Sequence, residues 1–234
     1  MRVSLIGHGR LGKLISSFLS RDVDLEIFDQ SIDRPLSEIS ESSIVLLCVP
    51  ISQMERVCQD IAPHLKKNTL VIDVCSVKEY PMDVMKSTLP NHVQILGTHP
   101  MFGPDSIHDT LFGAKLVLCN ESCDEELYTK IKLYLSNQGM RLIEATPEEH
   151  DKSISRTLIL SHFIGNTLME FGAKEELIDT KGYRRLLRIL DTVKNDTNQL
   201  FNDMNKYNRF SKNMREDFIS VMNSISEKAD QHSS

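Results

Sequence analysis

The chain has 234 residues, 40% of them apolar and 26% charged, which excludes a disordered or fibrous protein and leaves room for two modest domains. Its net charge of −6 gives no electrostatic reason to expect a nucleic-acid partner. The five cysteines (Cys48, Cys58, Cys75, Cys119 and Cys123) are an odd set lying partly in apolar runs, so reduced thiols in a cytoplasmic setting are expected, without a metal site.

The N-terminal run Val3 to Ile6 has no basic leader before it, and no segment nears the length of a bilayer span, so an unprocessed soluble protein with no membrane partner is expected. Short β-branched runs predict strands at Val3 to Ile6, Leu25 to Phe28, Ile44 to Val49, Leu70 to Val74, Gln94 to Gly97, Leu116 to Leu118 and Leu142 to Glu144. Amphipathic segments between them predict helices at Leu11 to Leu19, Ser52 to His64, Tyr80 to Leu89 and Glu125 to Asn137. Such alternation builds a mostly parallel sheet with helices on its faces. Beyond Thr146 the pattern changes, and Pro147-Glu148-Glu149 reads as a helix start with Pro at N1 and acids in the first turn. Long periodic segments follow at Glu148 to Phe171, Tyr183 to Lys206 and Ser211 to Lys228, and Gln231 to Ser234 reads as a frayed end. The expected domains are therefore 1–147 and an all-helical 148–234.

Gly7-His8-Gly9-Arg10-Leu11-Gly12 fits GxGxxG between a predicted strand and a predicted helix. Gly7 permits the tight turn, Gly9 lets backbone approach a pyrophosphate, and Gly12 allows close helix–strand packing. Phosphates would meet unpaired N–H groups at the helix N-terminus. The α/β part is thus expected to be a Rossmann-type, doubly wound dinucleotide-binding domain. Val49 and Pro50, at the end of the third strand, join the expected cofactor contacts. Asp29, at the end of the second strand, would accept hydrogen bonds from the adenosine ribose and favour NAD over NADP, although Arg34 lies close enough to serve a 2′-phosphate. A purely local turn at Asp29 is the alternative.

The stretch Gly97-Thr98-His99-Pro100-Met101-Phe102-Gly103-Pro104-Asp105-Ser106 directly follows the fifth predicted strand, at the sheet edge where ligands bind in such folds. Two prolines and two glycines around one His fix its backbone. On the first helix after the sheet, Asp151, Ser155, Leu158 and His162 follow i, i+4, i+7 and i+11, which sets three polar groups on one stripe, a functional face or else a solvated one.

The Gly97 to Ser106 run resembles the signature loop of prephenate and arogenate dehydrogenases. Asp73-Val74-Cys75-Ser76-Val77-Lys78 resembles that family's strand-end Ser-Val-Lys element, and Glu149-His150-Asp151 with Ser161-His162-Phe163 resembles its interdomain helix. Ile178 to Tyr183, Asn195-Asp196 and Tyr207-Asn208 look closest to the plant-like arogenate branch. The resemblance implies an NAD(P)-dependent oxidative decarboxylation in tyrosine biosynthesis: hydride leaves ring C4, the ring carboxylate leaves as CO2, and the ring becomes aromatic. It implies that His99 takes the C4 hydroxyl proton, a role suited to imidazole. Ser76 would hydrogen-bond that hydroxyl or orient His99, or serve as a helix N-cap. It implies also that His162 lines the substrate pocket, with Glu149 and His150 supporting the helix start.

An anionic small-molecule substrate needs a cation, and Arg184 and Arg188, one helical turn apart, offer guanidinium forks. The bacterial prephenate pattern has an arginine five positions before the aspartate of the last motif, where this chain has Asp191. That departure favours arogenate, whose ammonium Asp151 or Asp191 could recognise. Two rivals stay open: a related two-domain reductase acting on a β-hydroxy acid or imine, and an NAD-binding sensor without turnover, which would need the glycines and Asp29 but not Ser76, His99 and His162 together. The helical domain is short for a self-contained core, and the resemblance implies a homodimer formed through it.

Overall fold

A computed structural model of the chain describes residues 1–107 and 109–231; the last three residues of the expected frayed end lie outside them. The chain divides into two compact units, Met1–His150 and Asp151–Ser234.

The first unit is built on one seven-stranded sheet. Its strands are β1 (Arg2–Ile6), β2 (Asp24–Phe28), β3 (Ile44–Leu47), β4 (Leu70–Asp73), β5 (Gln94–Pro100), β6 (Lys115–Asn120) and β7 (Arg141–Glu144), in the order β2-β1-β3-β4-β5-β6-β7. All neighbours are parallel except β5 and β6. The chain leaves β1 for an outer strand on one side and returns to the other side, so β1 sits at the point where strand order reverses, the place where such sheets bind ligands. The register sets Ile6, Leu47 and Asp73, the last residues of β1, β3 and β4, in one row with Gly97 of β5, which runs three residues further to Pro100. Four adjacent strands therefore deliver their outgoing loops to one edge, over about 14 Å from three strand spacings.

The inner strands β1, β3 and β4 are largely apolar runs because both faces are covered. Val3, Ile44, Leu70, Ile72, Leu96, Leu116 and Leu118 pack in one cluster with Tyr128 and Met140, each buried side chain stabilising the fold by about 1.5–3 kcal/mol. The helices are α1 (Arg10–Leu19), α2 (Met54–Ile61), α3 (Glu79–Thr88) and α4 (Glu125–Asn137). The single helix expected over Ser52 to His64 is instead α2 flanked by 3₁₀ turns at Ile51–Gln53 and Ala62–His64, the latter holding Pro63. Asp124 caps α4, accepting from the backbone N–H of Glu126 and Leu127 at 3.0 and 3.3 Å.

The helix α5 (Pro147–Ile154) starts at Pro147, as its fixed φ and missing N–H favour. Thr146 and Glu149 close a reciprocal capping box around that start: Thr146 Oγ1 accepts from the Glu149 N–H at 3.2 Å, and Glu149 Oε2 accepts from the Thr146 N–H at 2.9 Å. The long helix expected from Glu148 to Phe171 is not uniform. A π-helical turn, Ser155–Ile159, separates α5 from α6 (Leu160–Glu170), and one extra residue in a turn sets back the faces beyond it by about 100°.

The segment expected as one helix over Tyr183 to Lys206 is three: α7 (Lys181–Leu187), α8 (Leu190–Val193) and α9 (Asn198–Tyr207). Local hydroxyl caps restart it, Thr180 Oγ1 accepting from the Tyr183 N–H and Thr197 Oγ1 from the Leu200 N–H, both at 3.1 Å. The last helix is α10 (Ser211–Gln231), whose Phe218 meets Phe163 of α6 edge to face at 6.5 Å. Among the described residues, no helix is long and apolar enough to cross a membrane.

Candidate active site

The glycine loop follows β1 at the reversal point. Gly7 has φ +94°, and a side chain there would run into the Cys48 carbonyl; one on Gly12 would run into the carbonyl of Gly7. Above Gly9 there is only open space. Gly9 is also the N-cap of α1, with no side-chain cap hydrogen bond there. This arrangement fits a pyrophosphate: open space over Gly9 and the positive end of a helix dipole.

Asp29 fastens the loop. Its Oδ2 accepts from the backbone N–H of His8 at 2.8 Å, and its Oδ1 accepts from the N–H and hydroxyl of Ser31 at 3.0 and 2.7 Å. These bonds, the His8 N–H foremost, hold its carboxyl down at about 2. The local turn runs through Ser31, so Asp29 combines an Asx-turn with support of the cofactor loop. Arg34 is held among acids, its Nε on Glu38 at 2.9 Å and its Nη2 3.8 Å from Glu26, with the guanidinium over Phe28. Val49 lies half-buried beside Gly7, Pro50 is exposed, and Leu11 is half-buried on α1. His8 Nε2 lies 3.2 Å from the Ser16 hydroxyl. Arg10 makes a bidentate pair with Asp105 at 2.8 and 2.9 Å, tying the glycine loop to the Gly97 to Ser106 stretch.

His99 is not in the loop after the fifth strand but inside β5. The antiparallel neighbour β6 extends the ladder past the end of β4, pairing His99 with Val117 and Pro100 with Leu116. Pro100 stands last, where a missing N–H costs least. His99 is 4% exposed, and its Nδ1 lies 2.9 Å from Nε2 of His150, itself buried, the rings meeting edge to face. Burial pushes the His99 pKa well below 6.5, and His150 and the Lys78 ammonium push in the same direction. These causes all favour the neutral imidazole.

Beneath it lies a polar brace that composition and spacing gave no reason to expect. Lys78 and Asp73 are both fully buried and form an ion pair. Lys78 Nζ also donates to the Thr98 carbonyl at 2.6 Å, the Thr98 hydroxyl donates to the Asp73 carbonyl at 2.7 Å, and Asp73 Oδ1 accepts from the Cys75 N–H at 2.9 Å. Burial nevertheless pushes the Asp73 carboxyl up, against the pull of Lys78. The brace ties the end of β4 to the residue before His99. Ser76, between Asp73 and Lys78 in sequence, is half-buried, with no hydrogen-bond partner for its hydroxyl among the described residues. It is not the N-cap of α3, which begins at Glu79 after Lys78, so its hydroxyl is free for a ligand.

In the helical unit, Asp151, Ser155 and His162 are all buried and none lies on a solvated face, but the π turn at Ser155–Ile159 takes His162 off the single stripe expected. Ser155 lies in the π turn and its hydroxyl donates to the Lys152 carbonyl at 2.8 Å. The Asp151 carbonyl accepts from the Asn208 side chain at 2.8 Å. His162 Nδ1 faces Asp196 at 3.4 Å; burial lowers its pKa below 6.5 although Asp196 opposes the shift. Arg184 is exposed and paired with Asp179 at 3.2 Å, Arg188 is exposed at the end of α7, and Asp191 is paired with Lys194 at 2.6 Å.

The sequence has relatives among known proteins. It is 28% identical over 229 residues to Arogenate dehydrogenase 2, chloroplastic, of Arabidopsis thaliana, covering 89% of this chain and 64% of the relative. It is 27% identical over 216 residues to the Probable arogenate/prephenate dehydrogenase of Methanocaldococcus jannaschii, covering 88% of this chain and 48% of the relative. The chain therefore spans less than two thirds of the length of either. The fold matches that of prephenate dehydrogenase from A. aeolicus, solved with hydroxyphenyl propionate and NAD+, at a TM-score of 0.77 and 18% identity over 100% of this chain and 92% of the other. Residues 167–234 match a TYRAAT1-like C-terminal domain. Residues 16–144 match the nucleotide-binding domain of prephenate dehydrogenase, and by that match the chain belongs to the prephenate dehydrogenase family.

Proposed function

We propose that the chain is an NAD-dependent dehydrogenase that oxidatively decarboxylates arogenate or prephenate. The observation that carries this is the placement, along one sheet edge, of an uncapped glycine loop, a free Ser76 hydroxyl and a buried neutral imidazole at His99. The family match supports it, as does the A. aeolicus neighbour, which holds NAD+ and a phenolic acid. Bound NAD would supply a hydride acceptor. Gly7, His8, Gly9, Arg10, Leu11 and Gly12 would hold its pyrophosphate, with Val49 and Pro50 beside it. Asp29, already deprotonated and aimed at the loop, disfavours a 2′-phosphate by charge, and Arg34 is too engaged with Glu26 and Glu38 to offset that.

His99 Nε2 takes the proton of the C4 hydroxyl while the C4–H bonding pair leaves as hydride. Ser76 holds the same oxygen. The bond to the ring carboxylate then breaks, its pair completes the aromatic ring, and the oxygen recovers its proton from His99. The base ends as it began. Substrate recognition falls to His162, Asp151 and Ser155 in the helical unit, with Arg188 or Arg184 as the carboxylate partner. Asp191, standing where a prephenate-type arginine would be, supports arogenate as the preferred substrate. We further propose a homodimer through the helical unit, since Ile219, Val221, Met222 and Ile225 of α10 are exposed, and a reducing cytosolic setting, since all five cysteines are free.

Purified protein given NAD or NADP with arogenate or prephenate, followed by absorbance of the reduced nicotinamide, tests the reading. A higher kcat/KM with arogenate and NAD is expected. No reduction with either substrate contradicts the activity, and a strong prephenate preference contradicts the substrate assignment.

A further inference from the structure

His99 can accept a proton at only one nitrogen, and the other is committed. Its Nδ1 lies 2.9 Å from Nε2 of His150, with both rings buried. Between two neutral imidazoles at that distance there is one proton, so one ring donates and the other accepts. If His150 donates, His99 carries its own proton on Nε2 and has no lone pair to offer a substrate. If His150 accepts, His99 is protonated at Nδ1 and basic at Nε2.

We infer that His150 is a positioning residue that accepts the Nδ1–H of His99 and thereby fixes the tautomer in which Nε2 is the base. The assignment rests on the proton transfer proposed above. His150 is itself held in place. It lies in the first turn of α5, its backbone N–H donates to the Thr146 carbonyl at 3.0 Å, and the Thr146–Glu149 capping box fixes that turn. Across the pair, the Lys78 brace holds the backbone at Thr98, so both rings are carried on fixed supports.

A carboxylate is the usual orienting partner of a catalytic histidine. Here it would stabilise the imidazolium and so favour the protonated form of His99. An imidazole acceptor fixes the tautomer without a carboxylate's charge. When His99 takes the substrate proton, the same hydrogen bond becomes charge-assisted and strengthens as charge develops.

Replacing His150 with Leu removes the acceptor, while His150→Gln can return one, its amide oxygen reaching the same region. Nitrogen-15 NMR of labelled imidazoles reads the His99 tautomer with no substrate present. In the wild type, His99 is expected to be protonated at Nδ1 and bare at Nε2, and in His150→Leu to shift toward the Nε2–H form. His150→Leu should lower kcat by about 10- to 100-fold, the usual effect of losing a histidine's orienting partner, with KM nearly unchanged. His150→Gln should recover most of that loss.

A wild-type His99 protonated at Nε2 overturns the inference, as does a Leu variant with the wild-type tautomer and kcat. If His150→Leu does not fold, the wild-type spectrum and the Gln variant still decide. The tautomer is measured without turnover: failure of the activity with an Nδ1–H tautomer rejects the proposed reaction, and activity with an Nε2–H tautomer rejects only the role of His150.

Discussion

Gly12, Lys78, His99 and His162 show how the candidate site depends on what lies behind it. A side chain on Gly12 would enter the Gly7 carbonyl and displace the turn. Gly12→Ala should therefore weaken NAD binding by at least about tenfold, a cost of about 1.4 kcal/mol, while thermal stability changes less; titration of nicotinamide fluorescence checks this, and unchanged affinity would show that the turn does not form the cradle. Lys78 is fully buried against Asp73. Lys78→Met leaves a buried carboxylate unpaired and should cost about 3–5 kcal/mol in urea unfolding. His99 and His162 both have pKa values held below 6.5 by burial. The unfolded chain then binds protons that the folded chain refuses, so their contribution is complete above 6.5 and is lost as pH falls from there toward the lowered folded values. Melting temperature should decline below that pH, and less steeply in His162→Gln.

The strands and the N-terminal helices were legible because burial on both faces writes continuous apolar runs, and because Gly7, Gly9 and Gly12 punctuate the first turn. His99 and Ser76 were legible from their strand-end positions and from the resemblance that their surrounding motifs carry. What escaped was every feature made by long-range pairing. His150 was expected only to support the start of its helix; only the fold carries it to a residue 51 positions earlier. Asp73 and Lys78 stood out only as members of the strand-end motif, and nothing in their spacing marked them as a buried ion pair.

Helix continuity also failed where periodicity was the sole guide. The hydroxyl of Thr197 stops and restarts a segment whose apolar spacing runs on, and the π turn at Ser155–Ile159 breaks the i+11 relation between Asp151 and His162. Thr146, by contrast, was an available signal: a hydroxyl three residues before an acid marks a capping box. Thr146→Ala should destabilise the protein by about 0.5–2 kcal/mol and, through α5, lower kcat by way of His150; chemical denaturation and steady-state kinetics measure the two together.

At the scale of the molecule, a mostly parallel sheet brings the candidate site to one edge, and a separate helical unit carries a buried His162 facing a half-buried Asp196 and an α10 with exposed apolar residues. If that surface is covered by a second copy, sedimentation at micromolar concentration should show a dimer that Ile225→Asp disrupts; a stable wild-type monomer would contradict it. The central claim, that His99 removes a proton as hydride leaves and CO2 follows, is tested most directly by measuring reduced nicotinamide and released CO2 together in the wild type and in His99→Asn. One-to-one release is expected in the wild type, with both rates falling about 10²- to 10⁴-fold in the variant while NAD affinity is retained. Near wild-type turnover in His99→Asn, or reduction without CO2, would contradict the account.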